Sequence, residues 1–451
     1  MYNAVVIGGG PAGYVAAIRL SQLGKKVALV EKENLGGTCT NQGCIPTKAM
    51  LTAAHLYSEM NEKGKKFGIS AENISYDISG VMKHTNKSVT MSRKGIEFLM
   101  KKNKIDVYKG TGILEDKNHV KVNDEILETE FILLANGSEP VMFKPFSEVP
   151  GIWTSNDVFK MNEIPESVLI IGGGVIGVEF STFFASMGKK VYLVELSDHI
   201  LPSEDPDTAD EIKKSLKRKG VEIFEKFRVS DVKPSDNGFI SFIESEDDKK
   251  AIESAKVLLA VGRKPVISED MKKIGLNIEK GIVTDDTLKT NIENIYAIGD
   301  IKAKVMLAHV ASSEGITAAH NIAGENRKMD YSAVPSVIFS SPEVASTGIR
   351  EFQTVPENVI VSKFPVSANG RARTMEEKDG FVKVICDKTT KKILGISIVS
   401  PNATDMIMEG VIAVRNGLTL DNLLDSIHPH PTFTESILGA LEGIEGMTIH
   451  L

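Results

Sequence analysis

One pattern occurs twice in this chain and leaves little freedom in how it folds. Ala4-Val5-Val6-Ile7 is an apolar run without polar alternation, as expected of a strand covered on both faces. It enters Gly8-Gly9-Gly10-Pro11-Ala12-Gly13, then a helical stretch to Leu23, then Val27-Ala28-Leu29-Val30 and the acid Glu31. Val168-Leu169-Ile170-Ile171 enters Gly172-Gly173-Gly174-Val175-Ile176-Gly177 in the same way, followed by a helix, Val191-Tyr192-Leu193-Val194 and Glu195. The interval from first glycine to acid is 23 residues in both copies, Gly8 to Glu31 and Gly172 to Glu195. Similar closing strands follow, Phe131 to Pro140 in one copy and Val257 to Pro265 in the other. Glycines in this context let the backbone approach a pyrophosphate at a helix N-terminus, and the acid can accept from ribose hydroxyls. The reading is an α/β chain with a duplicated dinucleotide-binding unit and two dinucleotide ligands. Gly8, Gly10, Gly13 and Glu31 are the candidate contacts in the first unit, Gly172, Gly174, Gly177 and Glu195 in the second.

The bulk numbers remove other classes. A chain of 451 residues implies about two to four domains. A net charge of −7 argues against a nucleic-acid binder, which would carry a basic face. Three cysteines are too few for a secreted disulfide scaffold. No apolar run approaches a membrane span, and the first residues read as a strand rather than a leader, so a cytoplasmic protein is expected.

Two of the three cysteines lie in Leu35-Gly36-Gly37-Thr38-Cys39-Thr40-Asn41-Gln42-Gly43-Cys44-Ile45-Pro46-Thr47-Lys48, directly after Glu31. A loop this short makes a poor structural staple, because cross-link stabilisation grows with loop length. A metal site needs further ligands, and no second Cys or His pair of ligand spacing follows, so no metal is expected. Two ordinary buried thiols remain one reading. The sharper one is a dithiol that opens and closes, with Cys44 at a helix start where a thiolate is favoured. A two-electron dithiol exchanges more naturally with a flavin than with a nicotinamide, which places FAD in the first unit and NAD in the second. Glu195 is followed by Leu196-Ser197-Asp198 with no arginine cluster, which favours NADH over NADPH.

Residues 50 to 110 read as two helices joined by a Lys/Gly-rich loop. Ile295-Tyr296-Ala297-Ile298-Gly299-Asp300 reads as a strand that ends in an acid on the ligand side, with a helix from about Ala308 to Ala323. Asp300 is a candidate ligand contact, or alternatively a helix cap. After Asn326 the pattern becomes antiparallel, with strands in Val334 to Ile349, Gly380 to Asp387 and Ile393 to Val399 and helices at about 403–417 and 434–444. Cys386 falls inside a strand and reads as an inert core residue. In His428-Pro429-His430-Pro431-Thr432-Phe433-Thr434-Glu435 the prolines stiffen the chain around His430, and Glu435 falls on the first turn of the next helix. Such a pair is either a satisfied loop histidine or a carboxylate-oriented base for the thiol chemistry.

Taken together, the cysteine stretch, Gly172 to Glu179, Ala297 to Asp300, Met306 to His309 and His428 to Thr432 resemble the pyridine nucleotide–disulfide oxidoreductases over essentially the whole chain. Within that family the resemblance is to members that oxidise dihydrolipoyl groups with FAD and NAD+. It implies two Rossmann-like dinucleotide-binding domains plus a C-terminal α+β dimerisation domain. The boundaries are 1–140 and 264–330 for FAD, 141–263 for NAD, and 331–451 for the interface. It implies that Cys39 exchanges with the substrate sulfur, that Cys44 lies against the flavin, and that His430 with Glu435 completes the partner subunit's site in a homodimer. Lys48 would lie near the flavin and pair with Glu179. The resemblance adds Gly112, Asp300 and Ala308 as FAD contacts and Val229 and Gly262 as NAD contacts. The expected partner is a lipoylated acyltransferase or other lipoyl carrier. Thr47 stands where the family usually has Ser, and Asn136 replaces the Thr of its Ala-Thr-Gly strand end. Glutathione reductases would show arginines near Asp198, mercuric reductases a second cysteine pair at the C-terminus, and soluble transhydrogenases lack the dithiol. A non-enzymatic flavoprotein scaffold would have no need of Cys39, Cys44, His430 and Glu435 together. Reduction of another low-molecular-weight disulfide by NAD(P)H is the alternative activity.

Overall fold

The computed structural model describes residues 1–353 and 357–451. Its first part runs β1 (Tyr2–Ile7), α1 (Pro11–Gln22), β2 (Val27–Glu31), α2 (Gly37–Gln42), α3 (Cys44–Glu62), α4 (Ile78–Lys102), β3 (Asp106–Lys109), β4 (Gly112–Leu114), β5 (His119–Val122), β6 (Glu125–Leu134) and β7 (Ser138–Pro140). The apolar run of β1 lies between β2 and β6 with Ala4, Val5 and Val6 fully buried, so both faces of the sheet are covered. Strand order is β3-β2-β1-β6, parallel throughout. The first half of β6 instead pairs antiparallel with β5, and β5 with β4.

The second part repeats the plan with β8 (Trp153–Thr154), α5 (Ser155–Val158), β9 (Ser167–Ile171), α6 (Val175–Ser186), β10 (Lys190–Glu195), α7 (Pro206–Arg218) and β11 (Glu222–Glu225). The meander β12 (Arg228–Ser235), β13 (Gly238–Glu244) and β14 (Lys249–Ser254) follows, then β15 (Lys256–Leu259), giving a parallel sheet in the order β11-β10-β9-β15-β8. The chain crosses back through β16 (Arg263–Pro265), which pairs antiparallel with β7 and so ties the two closing strands together. After α8 (Glu269–Lys273), β17 (Ile295–Ala297) joins β6 of the first sheet, and α9 (Ala308–Ile322) packs on α1. Asp300 therefore sits just beyond a strand end, in a short 3₁₀ turn at Gly299–Lys302.

The last part is a five-stranded antiparallel sheet built from β18 (Ser336–Ile338), β19 (Glu343–Gly348), β20 (Val359–Pro365), β21 (Phe381–Asp387) and β22 (Ile393–Ser400), with α10 (Gly370–Thr374) between β20 and β21. Its order is β18-β19-β22-β21-β20. It is backed by α11 (Ala403–Asn416), α12 (Leu420–Leu424) and α13 (Glu435–Gly443). Within Val334 to Ile349 the strands are β18 and β19, separated at Pro342, which has no N–H to give to a ladder. Cys386 is fully buried in β21. Among the described residues no helix is long and apolar enough to cross a membrane, and no group of three or more His, Cys, Asp or Glu could hold a metal.

Candidate active site

The two glycine turns have the same internal geometry. A Cβ on Gly8 would stand 2.2 Å from the Ala135 carbonyl oxygen, and one on Gly172 would stand 2.6 Å from that of Ala260. A Cβ on Gly13 would stand 1.8 Å from the Gly8 oxygen, and one on Gly177 would stand 1.9 Å from the Gly172 oxygen. The first and third glycines thus seat the helix against the sheet. The middle glycine faces open space: at Gly10 the nearest atom is 3.9 Å away, and at Gly174 nothing lies within 4 Å. Neither α1 nor α6 has a side-chain cap, so their N-terminal N–H groups are left to a ligand. Each turn has the open space and free N–H groups to take a pyrophosphate, and the residues fit FAD and NAD.

The acids do more than the sequence implied. Glu31 accepts from Gly9 N–H at 2.7 Å and Glu33 N–H at 2.7 Å, while Glu195 accepts from Gly173 N–H at 2.6 Å and Ser197 N–H at 2.7 Å. Each carboxylate holds its glycine turn in place and retains lone pairs for ribose hydroxyls. A cavity of about 440 Å³ opens beside Glu31, lined by Leu35, Met100, Ile105 and Val107, within the size range of nucleotide sites. Gly112 lies against the ends of β1 and β2, where a Cβ would meet Ile7 Cγ2 at 2.9 Å. Ala308 is the first residue of α9, another helix without a side-chain cap. In the second unit Val229 is on β12 and half-buried, and Gly262 has φ of +110° with open space around it. Asn136 Oδ1 is buried without a partner at the first closing strand.

The dithiol sits on the joint between α2 and α3. Gly43 forms the turn, since a Cβ there would approach the Thr38 carbonyl oxygen to 2.9 Å. Asn41 Nδ2 donates to the Leu35 and Gly37 carbonyls at 3.1 and 2.9 Å, and Thr47 Oγ1 donates to the Gly43 carbonyl at 2.7 Å, anchoring both helix starts. Neither cysteine is in a disulfide, and the two thiols lie close enough to move each other's pKa in opposite directions. Cys44 opens α3, and its thiol is brought down to about 7, first by the Cys39 hydrogen bond and, against burial, by the Lys48 charge. Cys39 moves the other way, raised by the same hydrogen bond and by burial, so Cys44 ionises first.

Lys48 Nζ holds both oxygens of Glu179, at 2.8 and 2.9 Å, with the carboxylate 6% exposed. Lys48 is on α3 of the first unit and Glu179 on α6 of the second, so the pair lies where the two units meet. Phe339, just past the end of β18, completes it: its N–H donates to Glu179 Oε1 at 3.1 Å and its ring lies 4.4 Å from Lys48 Nζ.

His430 Nδ1 bonds Glu435 Oε1 at 2.9 Å, and Glu435 Oε2 accepts from Thr432 N–H at 2.8 Å. Burial raises the Glu435 pKa, but these two bonds outweigh it and hold the carboxyl below its ordinary value. The imidazole is 78% exposed. Among the described residues no hydrogen bond or ion pair joins this couple to the cysteines of its own chain.

Three residues escaped the sequence reading. Arg263 Nε donates to Ser138 Oγ at 2.8 Å, and Ser138 Oγ donates to Asp300 Oδ2 at 2.6 Å. Phe339 is the third. Only the recurrence of a polar residue after each closing-strand glycine, Ser138 after Gly137 and Arg263 after Gly262, hinted at the first two.

The model for "pyridine nucleotide-disulphide oxidoreductase" matches residues 2–315, and that family's dimerisation domain matches residues 334–441. The chain belongs to the pyridine nucleotide–disulphide oxidoreductases, and it is an enzyme of that class, with FAD and NAD as its cofactors. It is 40% identical over 458 residues to the dihydrolipoyl dehydrogenase of Geobacillus stearothermophilus, covering 100% of this chain and 97% of the relative. It is 41% identical over 451 residues to the enzyme of the same name from Chlamydia trachomatis, covering 96% and 95%. Among solved structures, an HOCl-induced flavoprotein disulfide reductase, RclA of Escherichia coli, superposes with a TM-score of 0.86 at 29% identity, covering 98% of this chain and 99% of that one.

Proposed function

We propose that this chain oxidises the dihydrolipoyl group of a lipoylated acyltransferase or other lipoyl carrier to its disulfide, passing the reducing equivalents to NAD+. The observation that carries the reading is the Cys39–Cys44 dithiol at the α2–α3 joint, with Cys44 at about 7 beside Lys48 and Glu179. The full-length identity to dihydrolipoyl dehydrogenases supports the same substrate.

In the oxidised enzyme Cys39 and Cys44 are joined. One substrate thiol gives its proton to His430 Nε2, left free because Nδ1 is engaged by Glu435. Its thiolate attacks Cys39 Sγ, forming a mixed disulfide, and the Cys39–Cys44 bond breaks with Cys44 leaving as thiolate. The low pKa of Cys44 makes it the better leaving group of the two. The second substrate thiol then attacks its own partner sulfur, releases the lipoyl disulfide, and returns Cys39 as a thiol that takes up the proton. FAD, when bound by the first glycine turn, Glu31, Gly112, Asp300 and Ala308, supplies the two-electron link between the Cys44 thiolate and NAD+. Gly172, Gly174, Gly177, Glu195, Val229 and Gly262 are assigned to NAD, with 1–140 and 264–330, 141–263 and 331–451 as the three domains.

The match to the dimerisation domain supports a homodimer, and the exposed His430–Glu435 couple is assigned to the partner subunit's dithiol. A chain with three cysteines and no disulfide scaffold suits a cytoplasmic compartment. The test is steady-state oxidation of dihydrolipoamide by the flavin-replete protein with NAD+ and NADP+. Fast NADH formation, with NADP+ at least about tenfold poorer, is expected because Glu195 and Asp198 repel a 2′-phosphate. In the same assay His430→Gln should lower turnover by about 10²-fold and leave dye reduction by NADH intact. A flavin-replete protein inert with dihydrolipoamide but active on another disulfide would replace the substrate and keep the dithiol.

A further inference from the structure

We propose that Arg263 and Ser138 are positioning residues that keep Asp300 ionised as an acceptor for FAD, so that the second unit's closing strand controls how firmly the first unit holds its flavin. This rests on the assignment of Asp300 to FAD and goes beyond it to the two residues that hold the carboxylate.

Hydrogen-bond direction carries the argument. A serine hydroxyl has one hydrogen. Arg263 Nε donates to Ser138 Oγ at 2.8 Å, and Arg263 Nη2 donates to the Ser138 carbonyl at 2.6 Å. Gripped at both oxygens, Ser138 has its single hydroxyl hydrogen left for Asp300 Oδ2, at 2.6 Å. Asp300, as a carboxylate, accepts it. The grip depends on β16 lying antiparallel to β7, with Pro265 opposite Ser138, so it forms only when the two units are correctly docked. Arg263 Nη2 also lies 3.4 Å from Thr38 Oγ1, next to Cys39, which places the same guanidinium over the dithiol helix.

Asp300 needs this help. Burial raises its pKa, and Glu314 adds to the rise, while the Ser138 hydrogen bond and the Arg263 charge oppose it. Glu314 is itself fully engaged, accepting from Gly299 N–H at 2.6 Å, Lys302 Nζ at 2.9 Å and Tyr331 Oη at 2.6 Å, so it cannot be relieved by turning away. Arg263 and Glu314 are the charged groups that bear most on the carboxyl. Taking away Arg263 or Ser138 removes what lowers the Asp300 pKa and leaves what raises it. The carboxylate is then present at high pH and lost as pH falls through the raised value, and its hold on flavin goes with it.

The experiment is FAD binding to the refolded apoenzyme, read by flavin fluorescence at pH 8 and pH 6 with circular dichroism as a check on folding. Wild type should change by less than about twofold between the two. Arg263→Gln and Ser138→Ala should each weaken measurably more at pH 6 than at pH 8, as Asp300 takes up a proton. Asp300→Asn should bind weakly and equally at both, and adding Arg263→Gln to it should restore no pH dependence. Should Arg263→Gln not fold, Ser138→Ala decides alone. Flat profiles in both variants, or a pH dependence that survives in the Asp300→Asn background, would overturn the proposal. Wild-type affinity in Asp300→Asn would instead overturn the assignment of Asp300 to FAD.

Discussion

The segments that follow the two ribose-side acids begin alike and end in different work. Glu31 and Glu195 close their strands, accept from Gly9 and Gly173 of their turns and sit in parallel sheets of the same order. After Glu31 the chain turns into α2 and α3 and sets Cys39 and Cys44 at their joint. After Glu195 it turns instead toward the five-stranded antiparallel sheet. Glu204 accepts from Ser336 and Ser346 hydroxyls at 2.8 and 2.7 Å, and Asp205 and Asp207 hold Lys383 Nζ at 3.0 and 2.9 Å, with Glu351 at 2.8 Å. The strand ends of a parallel sheet are where ligands and loops meet. Duplication supplied two such places, one used for chemistry and the other for docking a domain.

Breaking each segment should therefore fail in a different way. Cys44→Ser should bring lipoyl oxidation down by about 10³-fold or more and abolish the long-wavelength thiolate–flavin absorption of the two-electron-reduced enzyme, with stability unchanged. Persistence of that band would reassign the flavin-side sulfur. Lys383→Met should do the reverse. Lys383 is 2% exposed and Asp205 1%, so removing the cation strands a buried carboxylate at a cost of about 3–5 kcal/mol. Guanidinium unfolding would show the loss, while the variant that remains folded keeps its absorption band. A variant as stable as wild type would mean that water already screens the cluster.

How much of this was readable beforehand follows chain separation. The duplicated units were legible because each is local: strand, turn, helix and acid lie within one short window, and sterics demand glycine at fixed places in it. The Cys39–Cys44 and His430–Glu435 couples were legible because both partners lie five residues apart. The short helix α2 was not, since Gly-Thr-Cys-Thr-Asn-Gln has poor helix propensity and is held by Asn41 bonding back to Leu35 and Gly37. Contacts across units were the least legible. Ser138 and Asp300 are 162 positions apart, and Asp205 and Lys383 178 apart, with nothing in either neighbourhood to announce the other. Lys48 and Glu179, 131 apart, came into view only through the family resemblance.

That last pair gives the smallest and most discriminating effect, because it joins the unit that carries the dithiol to the unit that does not. With Cys44 at about 7, the thiolate–flavin absorption of reduced wild-type enzyme should be full above that pH and fade as pH falls through it. Lys48 pulls the Cys44 pKa down and Glu179 pushes it up. Lys48→Met should therefore move the midpoint upward by about one pH unit. Glu179→Gln, a change made in the second unit, should move it downward, because it leaves the Lys48 charge unbalanced. The two substitutions disturb the same contact, so a purely packing effect would shift both midpoints in one direction. Opposite shifts in a spectrophotometric titration would show that α6 tunes the thiol through charge.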